Sequence, residues 1–180
     1  MKENSTLMHI VRLTVTLLAI CAVVAAVLAG VNMITKDKIA AIQAQKIENA
    51  IAEVLPNAHG TQQIPLEGDT GIVQAVYTTG EGYAVQVAPA GFNGAVTMMV
   101  GVQGDTVTGI SVISHTETPG LGAVAAAQNA NGEAFRGQFV GQSGTLVIGD
   151  QVDAMSGATI TSNAVVTGVN AALSYVASLG

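Results

Sequence analysis

The chain has 180 residues, of which 49% are hydrophobic and 10% are charged. This composition is too apolar for an intrinsically disordered protein, and the length allows a membrane segment plus one folded domain. From Ala50 onward the sequence has nine acidic residues and one cation, Arg136, a balance that argues against a nucleic acid partner.

The first predicted element is a transmembrane helix at residues 13–34, a run of 22 residues without a charged side chain. About 20 apolar residues cross the ~30 Å hydrocarbon layer, whereas the apolar core of a signal peptide has only about 7–15. Residues 1–12 are then a short N-terminal tail. Lysine or arginine flanks both ends of the run, so charge does not predict its orientation.

An amphipathic helix is predicted next, at residues 35–56. Ile39, Ile42, Ile47 and Ile51 recur there at near-helical spacing between charged residues. We interpret this segment as a stalk that leaves the membrane and ends near Pro56. The remaining residues, 57–180, are assigned to one domain.

Four strands are predicted in the first half of that domain, in short β-branched runs bounded by Gly, Asp and Pro. The runs are "GIVQAVYTTG", "GYAVQVAPAG", "GAVTMMVGVQGD" and "TVTGISVISH". Gly104 and Asp105 suit a two-residue hairpin turn between the last two runs. The strands are therefore expected to pair antiparallel.

The second half alternates predicted helices with one further strand. Residues 121–141 are rich in Ala and Gly and predict one or two short helices, and "TLVIGD" predicts a fifth strand. A closing helix is expected from about Thr159 to Ser178, with Val165, Val166, Val169, Leu173 and Val176 on one face. The predicted fold class is α+β: a single N-terminal transmembrane helix followed by a domain of antiparallel sheet packed with helices.

A hydroxyl-rich turn, "DAMSGATITS" from Asp153 to Ser162, precedes the closing helix. Ser and Thr are favoured at helix starts for capping alone, so Ser156 or Thr159 is a candidate N-cap. Alternatively, the exposed N–H groups of a helix start can bind an anion such as phosphate. The residues of the turn leave both interpretations open.

Two sequence elements resemble the FMN-binding domain family, found in the G subunit of Rnf complexes and the C subunit of the sodium-pumping NADH:quinone oxidoreductase. "DAMSGAT" resembles the family's flavinylation motif, Asp-x-x-Ser/Thr-Gly-Ala-Thr, and "SHTETPGLG" resembles its Glu-Thr-Pro-Gly-Leu-Gly loop at the flavin site. The resemblance covers nearly the whole chain. The compact length and the close spacing of the elements are more similar to the Rnf G subunit.

The resemblance implies a covalent FMN, linked by a phosphoester to Thr159. Asp153 is expected either to position a metal or the acceptor hydroxyl during attachment or to cap the turn. The other expected cofactor-binding residues are Ser156, Gly157, Ala158, Thr161 and Ser162 near the phosphate, and Glu117, Thr118, Gly120 and Leu121 near the ring. The sequence predicts neither a catalytic residue nor a metal site, because its three histidines and one cysteine are scattered.

By the same resemblance, the chain is expected to relay electrons within a complex that couples ferredoxin/NAD electron transfer to ion translocation. The expected partners are the other subunits, a flavin transferase during maturation, and membrane lipid. The expected location is the cytoplasmic (inner) membrane, single-pass, with the domain on the outer or periplasmic side. Two alternatives remain: the C subunit of the quinone-reducing pump, and a membrane-anchored binding or assembly protein without flavin.

Overall fold

The computed structural model describes residues 3–66 and 70–179, with side chains from Met8 onward. Residues 1 and 2 of the predicted tail and Gly180 of the predicted domain lie outside the described residues. The first element, α1 (Glu3–Val54), is one unbroken helix that ends two residues before Pro56. Its predicted division into tail, membrane span and stalk stays a prediction.

The chain forms two compact units, and the first, residues 1–45, contains most of α1. Large apolar side chains from Met8 to Ile34 are exposed, and the helix is long and apolar enough to be one candidate membrane span. The 22 residues of the predicted span are about 33 Å long as a helix, which matches the hydrocarbon layer of ~30 Å.

The second unit, from Lys46 onward, is built on a five-stranded antiparallel sheet in the order β1-β2-β3-β4-β5. The strands are β1 (Gln62–Ile64), β2 (Val73–Thr78), β3 (Tyr83–Val87), β4 (Thr97–Gln103) and β5 (Thr106–Ser114). The four predicted strands correspond to β2 to β5, and Gln103 pairs with Thr106 across the predicted turn. The short β1 was not predicted.

One face of the sheet is covered by the helices that follow it. These are a 3₁₀ helix (Gly122–Ala126), α2 (Ala130–Gly137) and α3 (Thr159–Leu179). The five predicted apolar residues of α3 are all buried, in a core with strand residues such as Val85, Val100 and Val102. These contacts confirm the predicted closing helix and the α+β class.

The other face of the sheet is covered by the last turns of α1. Ala50, Ile51 and Val54 pack there with Ala84 and Met99 of the sheet. Two side chains of β5 bond to the same turns: Thr108 Oγ1 donates to Val54 O at 2.7 Å and Ser111 Oγ donates to Glu53 Oε2 at 2.6 Å. These turns belong to the second compact unit, which begins at Lys46. The predicted domain boundary at residue 57 stays a prediction.

The prediction of a fifth strand at "TLVIGD" is wrong. Leu146 is buried like a strand residue, but its N–H donates to Asn170 Oδ1 and its carbonyl accepts from Asn170 Nδ2, both at 2.9 Å. A side chain of α3 therefore satisfies the backbone groups that a neighbouring strand would otherwise bond. The fifth strand of the sheet is β1 instead.

Candidate functional site

The loop after β5 forms the predicted turn at Pro119 and Gly120. The N–H of Leu121 donates to Thr118 O at 3.2 Å, and Gly120 adopts a φ of 76°. Proline in the first central position and a left-handed glycine in the second are the preferences of a type II turn. The turn leaves Leu121 44% exposed.

The turn before α3 is held by a second left-handed glycine and by a buried serine. Gly157 has a φ of 71°, a backbone conformation that favours glycine, and a Cβ there would lie 3.1 Å from Leu121 Cδ2. Ser162 is fully buried, where its Oγ donates to Ala158 O at 3.0 Å and accepts from Met155 N at 2.9 Å. Ser162 thus stabilises the turn instead of facing a cavity.

The N-terminus of α3 has an alanine where a capping side chain is expected. Ala158 O accepts the first helical hydrogen bond, from Ser162 N at 2.9 Å, so Ala158 occupies the N-cap position without a side-chain oxygen. By contrast, α2 is capped by Asn129, whose side chain accepts from Gly132 N. Within the described part of the chain, neither Ser156 nor Thr159 caps α3.

Three backbone N–H groups at this helix start, those of Thr159, Ile160 and Thr161, have no acceptor among the described residues. Unsatisfied N–H groups and the helix dipole together make a helix N-terminus favourable for an anion. Thr159 is exposed, and its hydroxyl is likewise without a hydrogen bond in the described part of the chain. The geometry therefore places an unbonded hydroxyl beside unbonded N–H groups that can donate hydrogen bonds to an anion.

These residues open into a cavity of about 340 Å³, which we call the α3 cavity. Its lining brings the predicted loop and the predicted turn together, and consists of Phe92, Glu117, Thr118, Leu121, Gly122, Gly157, Ala158, Thr159, Ile160 and Thr161. The volume falls in the range of small-molecule sites, about 300–1,000 Å³. Apolar side chains on the rim and polar groups at the helix start suit a flat, largely apolar ligand with an anionic group.

Glu117 is the one ionisable side chain in that lining, and it is 6% exposed. Its Oε1 accepts from Asn93 N at 3.0 Å and its Oε2 accepts from Thr161 Oγ1 at 2.5 Å. Both oxygens are thus bonded, as buried carboxyl groups require. Glu117 and Thr161 therefore hold the wall of the cavity together, and these bonds occupy the Thr161 hydroxyl.

All of the remaining predicted residues except the buried Ser162 line a second cavity of about 690 Å³, which we call the α2 groove. Asp153, Ser156 and Gly120 lie in this groove, and Leu121 lines both cavities. The backbone of Asp153 is fixed by Gln138, whose Oε1 accepts from Asp153 N at 2.8 Å. The predicted motif is therefore divided, with Thr159 in one cavity and Asp153 and Ser156 in the other.

Three lining residues of the α3 cavity were not predicted from the sequence: Phe92, Gly122 and Ile160. Gly122 is the last residue of the "SHTETPGLG" loop and Ile160 directly follows Thr159, so proximity in sequence could have identified both. Phe92 lies in the loop between β3 and β4, where an aromatic residue close to two glycines is the only local signal. Among the described residues no group of three or more His, Cys, Asp or Glu side chains is placed to bind a metal.

Comparison with known proteins gives two family matches that together span most of the chain. Residues 91–174 match the FMN-binding domain, and residues 1–54 match the RnfG N-terminal region. The first match contains the whole lining of the α3 cavity, and the second coincides with α1. The predicted resemblance to the FMN-binding domain family is confirmed.

Curated relatives agree over nearly their full length. The G subunit of the ion-translocating oxidoreductase complex of Methanosarcina acetivorans is 35% identical, covering 93% of this chain and 95% of that protein. The G subunit of the Na⁺-translocating ferredoxin:NAD⁺ oxidoreductase complex of Acetobacterium woodii is 33% identical, over 88% and 87%. The G subunit of the proton-translocating complex of Clostridium ljungdahlii is 35% identical, over 97% and 93%.

Proposed function

Because the chain belongs to the family of G subunits of ion-translocating oxidoreductase complexes, we propose that it carries FMN covalently on Thr159 and relays electrons between other subunits of such a complex. The chain is a membrane subunit with one candidate span and an FMN-binding domain. The complex is proposed to use ferredoxin and NAD, as the names of two relatives state. The ion is left open, because one relative is named for Na⁺ and the other for protons.

The observation that carries the proposal is the uncapped start of α3. An ordinary helix start places Ser, Thr, Asp or Asn in the N-cap position, and alanine there costs about 0.5–2 kcal/mol of stability. Here Ala158 occupies that position, and three N–H groups with an exposed threonine face the α3 cavity. A phosphoester on Thr159 would bring a negative charge to this end of the helix, where the donors and the dipole stabilise it.

The rest of the α3 cavity has the chemistry that an isoalloxazine ring requires. Leu121 and Ile160 are 44% and 54% exposed on its rim, so they offer apolar contact to a ligand without rearrangement of the core. Thr118 adds a hydroxyl near the turn. When bound, FMN supplies reversible electron transfer, and the residues of the chain bind and orient it.

Attachment requires a second protein, because a threonine hydroxyl is a poor nucleophile without activation. We propose a flavin transferase that uses FAD: the Thr159 oxygen forms a phosphoester bond to the phosphorus of the FMN half, and the P–O bond that joins this phosphorus to the AMP half breaks. AMP leaves, and the hydroxyl proton passes to the transferase. Asp153 and Ser156 lie in the α2 groove, beside the attachment turn but outside the α3 cavity. This placement favours a role for them during attachment over direct contact with the bound ring.

The membrane side of the domain is a separate part of the proposal. We place the domain on the outer or periplasmic side of the cytoplasmic membrane, with α1 in contact with lipid. The uncharged run of α1 and its exposed apolar side chains support the membrane location. A covalent bond suits an outer location, since a dissociated flavin would be lost there.

The test is the intact mass and in-gel flavin fluorescence of the full chain produced together with a flavin transferase. The wild type and Thr159→Ser are expected to gain the mass of one FMN, and Thr159→Ala is expected to gain none. Thr167→Ala is the matched control, because Thr167 is another exposed threonine of α3 and lies outside the α3 cavity. An unmodified wild type, or a Thr159→Ala variant that still gains FMN, would contradict the proposal.

A further inference from the structure

Phe92 is an exposed aromatic at the mouth of the α3 cavity. The side chain is 65% exposed, whereas the other two phenylalanines, Phe135 and Phe139, are buried and pack edge to face at 5.5 Å. Aromatic side chains bury large apolar areas and are usually found in cores or interfaces. The position of Phe92 on the rim of a cavity is therefore a feature that the packing of the domain does not explain.

The loop that carries Phe92 is firmly held. Gly91 N donates to Gly94 O at 2.7 Å and closes the loop on itself. Asn93 fixes the loop to the segment after β5: its N–H donates to Glu117 Oε1 at 3.0 Å, and its Nδ2 donates to Thr118 Oγ1 at 3.1 Å. In return Thr116 Oγ1 donates to Asn93 O at 2.9 Å. The residues on both sides of Phe92 are thus anchored while its ring is left uncovered.

The anchoring residues belong to the wall of the α3 cavity, so the loop and the cavity are positioned together. Glu117 and Thr118 line the cavity and also hold Asn93, the residue next to Phe92. A rigid loop that presents an aromatic ring loses little conformational entropy when a ligand covers that ring. A planar aromatic ligand is the chemistry that such a side chain recognises best, through offset or edge-to-face packing.

We propose that Phe92 packs against the flavin ring and is the residue that selects a planar aromatic ligand for the α3 cavity. The inference rests on the proposed function, since it takes the cavity to be the flavin site. It adds a ring contact from the β3–β4 loop, which is distant in sequence from both the attachment turn and the loop after β5.

The test is riboflavin binding to the full chain in detergent, produced without a flavin transferase. Riboflavin has the ring without the phosphate, so its affinity reports ring contact alone. Phe92→Ala is expected to raise the Kd by about 2- to 10-fold, the effect of one aromatic pair, and Phe92→Tyr to restore it. Val140→Ala is the control, because Val140 is 53% exposed and lies outside the α3 cavity.

Equal riboflavin affinities for the wild type and Phe92→Ala, or binding by neither, would overturn the inference. The thermal unfolding of the unloaded Phe92→Ala chain is expected to match the wild type, which separates ring contact from a structural effect. The proposed attachment fails by a different result, the absence of covalent FMN on the wild type. A chain that binds riboflavin through Phe92 but gains no FMN mass would support this inference and contradict the proposed attachment.

Discussion

The hydroxyl of Thr161, in the first turn of α3, donates a hydrogen bond of 2.5 Å to Oε2 of Glu117, a residue 44 positions earlier in the chain. The two residues are 1% and 6% exposed, so the bond is shielded from water. The other oxygen of Glu117 accepts from Asn93 N. One carboxyl group thus joins the β3–β4 loop, the segment after β5 and the start of α3.

Removal of this carboxyl group is expected to destabilise the domain. Glu117→Ala leaves the buried Thr161 hydroxyl without its acceptor, at a cost of about 1–3 kcal/mol, and it also removes the acceptor of the N–H of Asn93, an exposed residue that water can reach. Glu117→Gln keeps one acceptor oxygen and is expected to lose about half as much. The measurement is the free energy of unfolding of the full chain by chemical denaturation. Glu81→Ala, in an exposed turn, is the control, and an equal loss there would refute the role of Glu117.

A capping oxygen placed at position 158 is expected to stabilise the helix and to weaken anion binding. Ala158→Ser can accept from the free N–H groups at the start of α3, which raises the free energy of unfolding by about 0.5–2 kcal/mol. The same bond competes with a phosphate, so affinity for FMN should fall while that for riboflavin changes less. Ala154→Ser, in the preceding turn, is the control. A variant that gains no stability would mean that these N–H groups are already satisfied.

Arg136 is the only lysine or arginine after residue 46 in the sequence. Its hydrogen bonds to backbone carbonyl groups are expected to stabilise the domain. Arg136 is 7% exposed, and its Nη1 donates to Ala125 O at 2.8 Å and to Ala127 O at 3.0 Å. Arg136→Met leaves both carbonyls without this donor and should lower the free energy of unfolding by about 2–4 kcal/mol. Denaturation of Lys46→Met, which removes an exposed cation, provides the comparison, and similar losses in the two variants would contradict the expectation.

Tyr77 is expected to make the domain less stable at alkaline pH. Burial beside the end of α1 raises the pKa of its phenol above the usual value. The unfolded chain releases the phenolic proton from about pH 10, while the folded domain retains it to higher pH. The unfolded state then binds fewer protons, so the free energy of unfolding falls as the pH rises above about 10. Tyr77→Phe should remove this decline in a denaturation series, and Tyr83→Phe should keep it.

Much of the sheet was predictable because each strand was marked by local chemistry. Gly104 and Asp105 identified the turn between β4 and β5, and β-branched runs identified the strands beside it. The segment at Leu146 has the same local marks, yet its backbone bonds to the side chain of Asn170, 24 residues further along. When a distant side chain bonds to the backbone of a segment in place of a neighbouring strand, the sequence of that segment does not show it. A strand of three residues such as β1 is too short to have a recognisable sequence pattern.

The site was predictable to the extent that it lies in contiguous segments. The turn at Gly157 to Thr159 and the loop at Glu117 to Leu121 do meet in the α3 cavity. The structure was needed to show that Asp153 and Ser156 face the other cavity and that Ser162 is enclosed. Phe92 could not be found by spacing, because the bonds of Asn93 that place it depend on tertiary contacts with the segment after β5.

The packing of the last turns of α1 onto the sheet determines where a water-soluble fragment of this protein can begin. A fragment that starts at residue 57 would lose Ala50, Ile51 and Val54, and the completely buried Ala84 and Met99 beneath them would meet water. A fragment that starts at Lys46 retains that layer and leaves out the uncharged run at residues 13–34. The last turns of α1 thus belong both to the helix that continues from the predicted membrane span and to the folded domain. A truncation that removes the span and keeps the domain intact must therefore begin within α1.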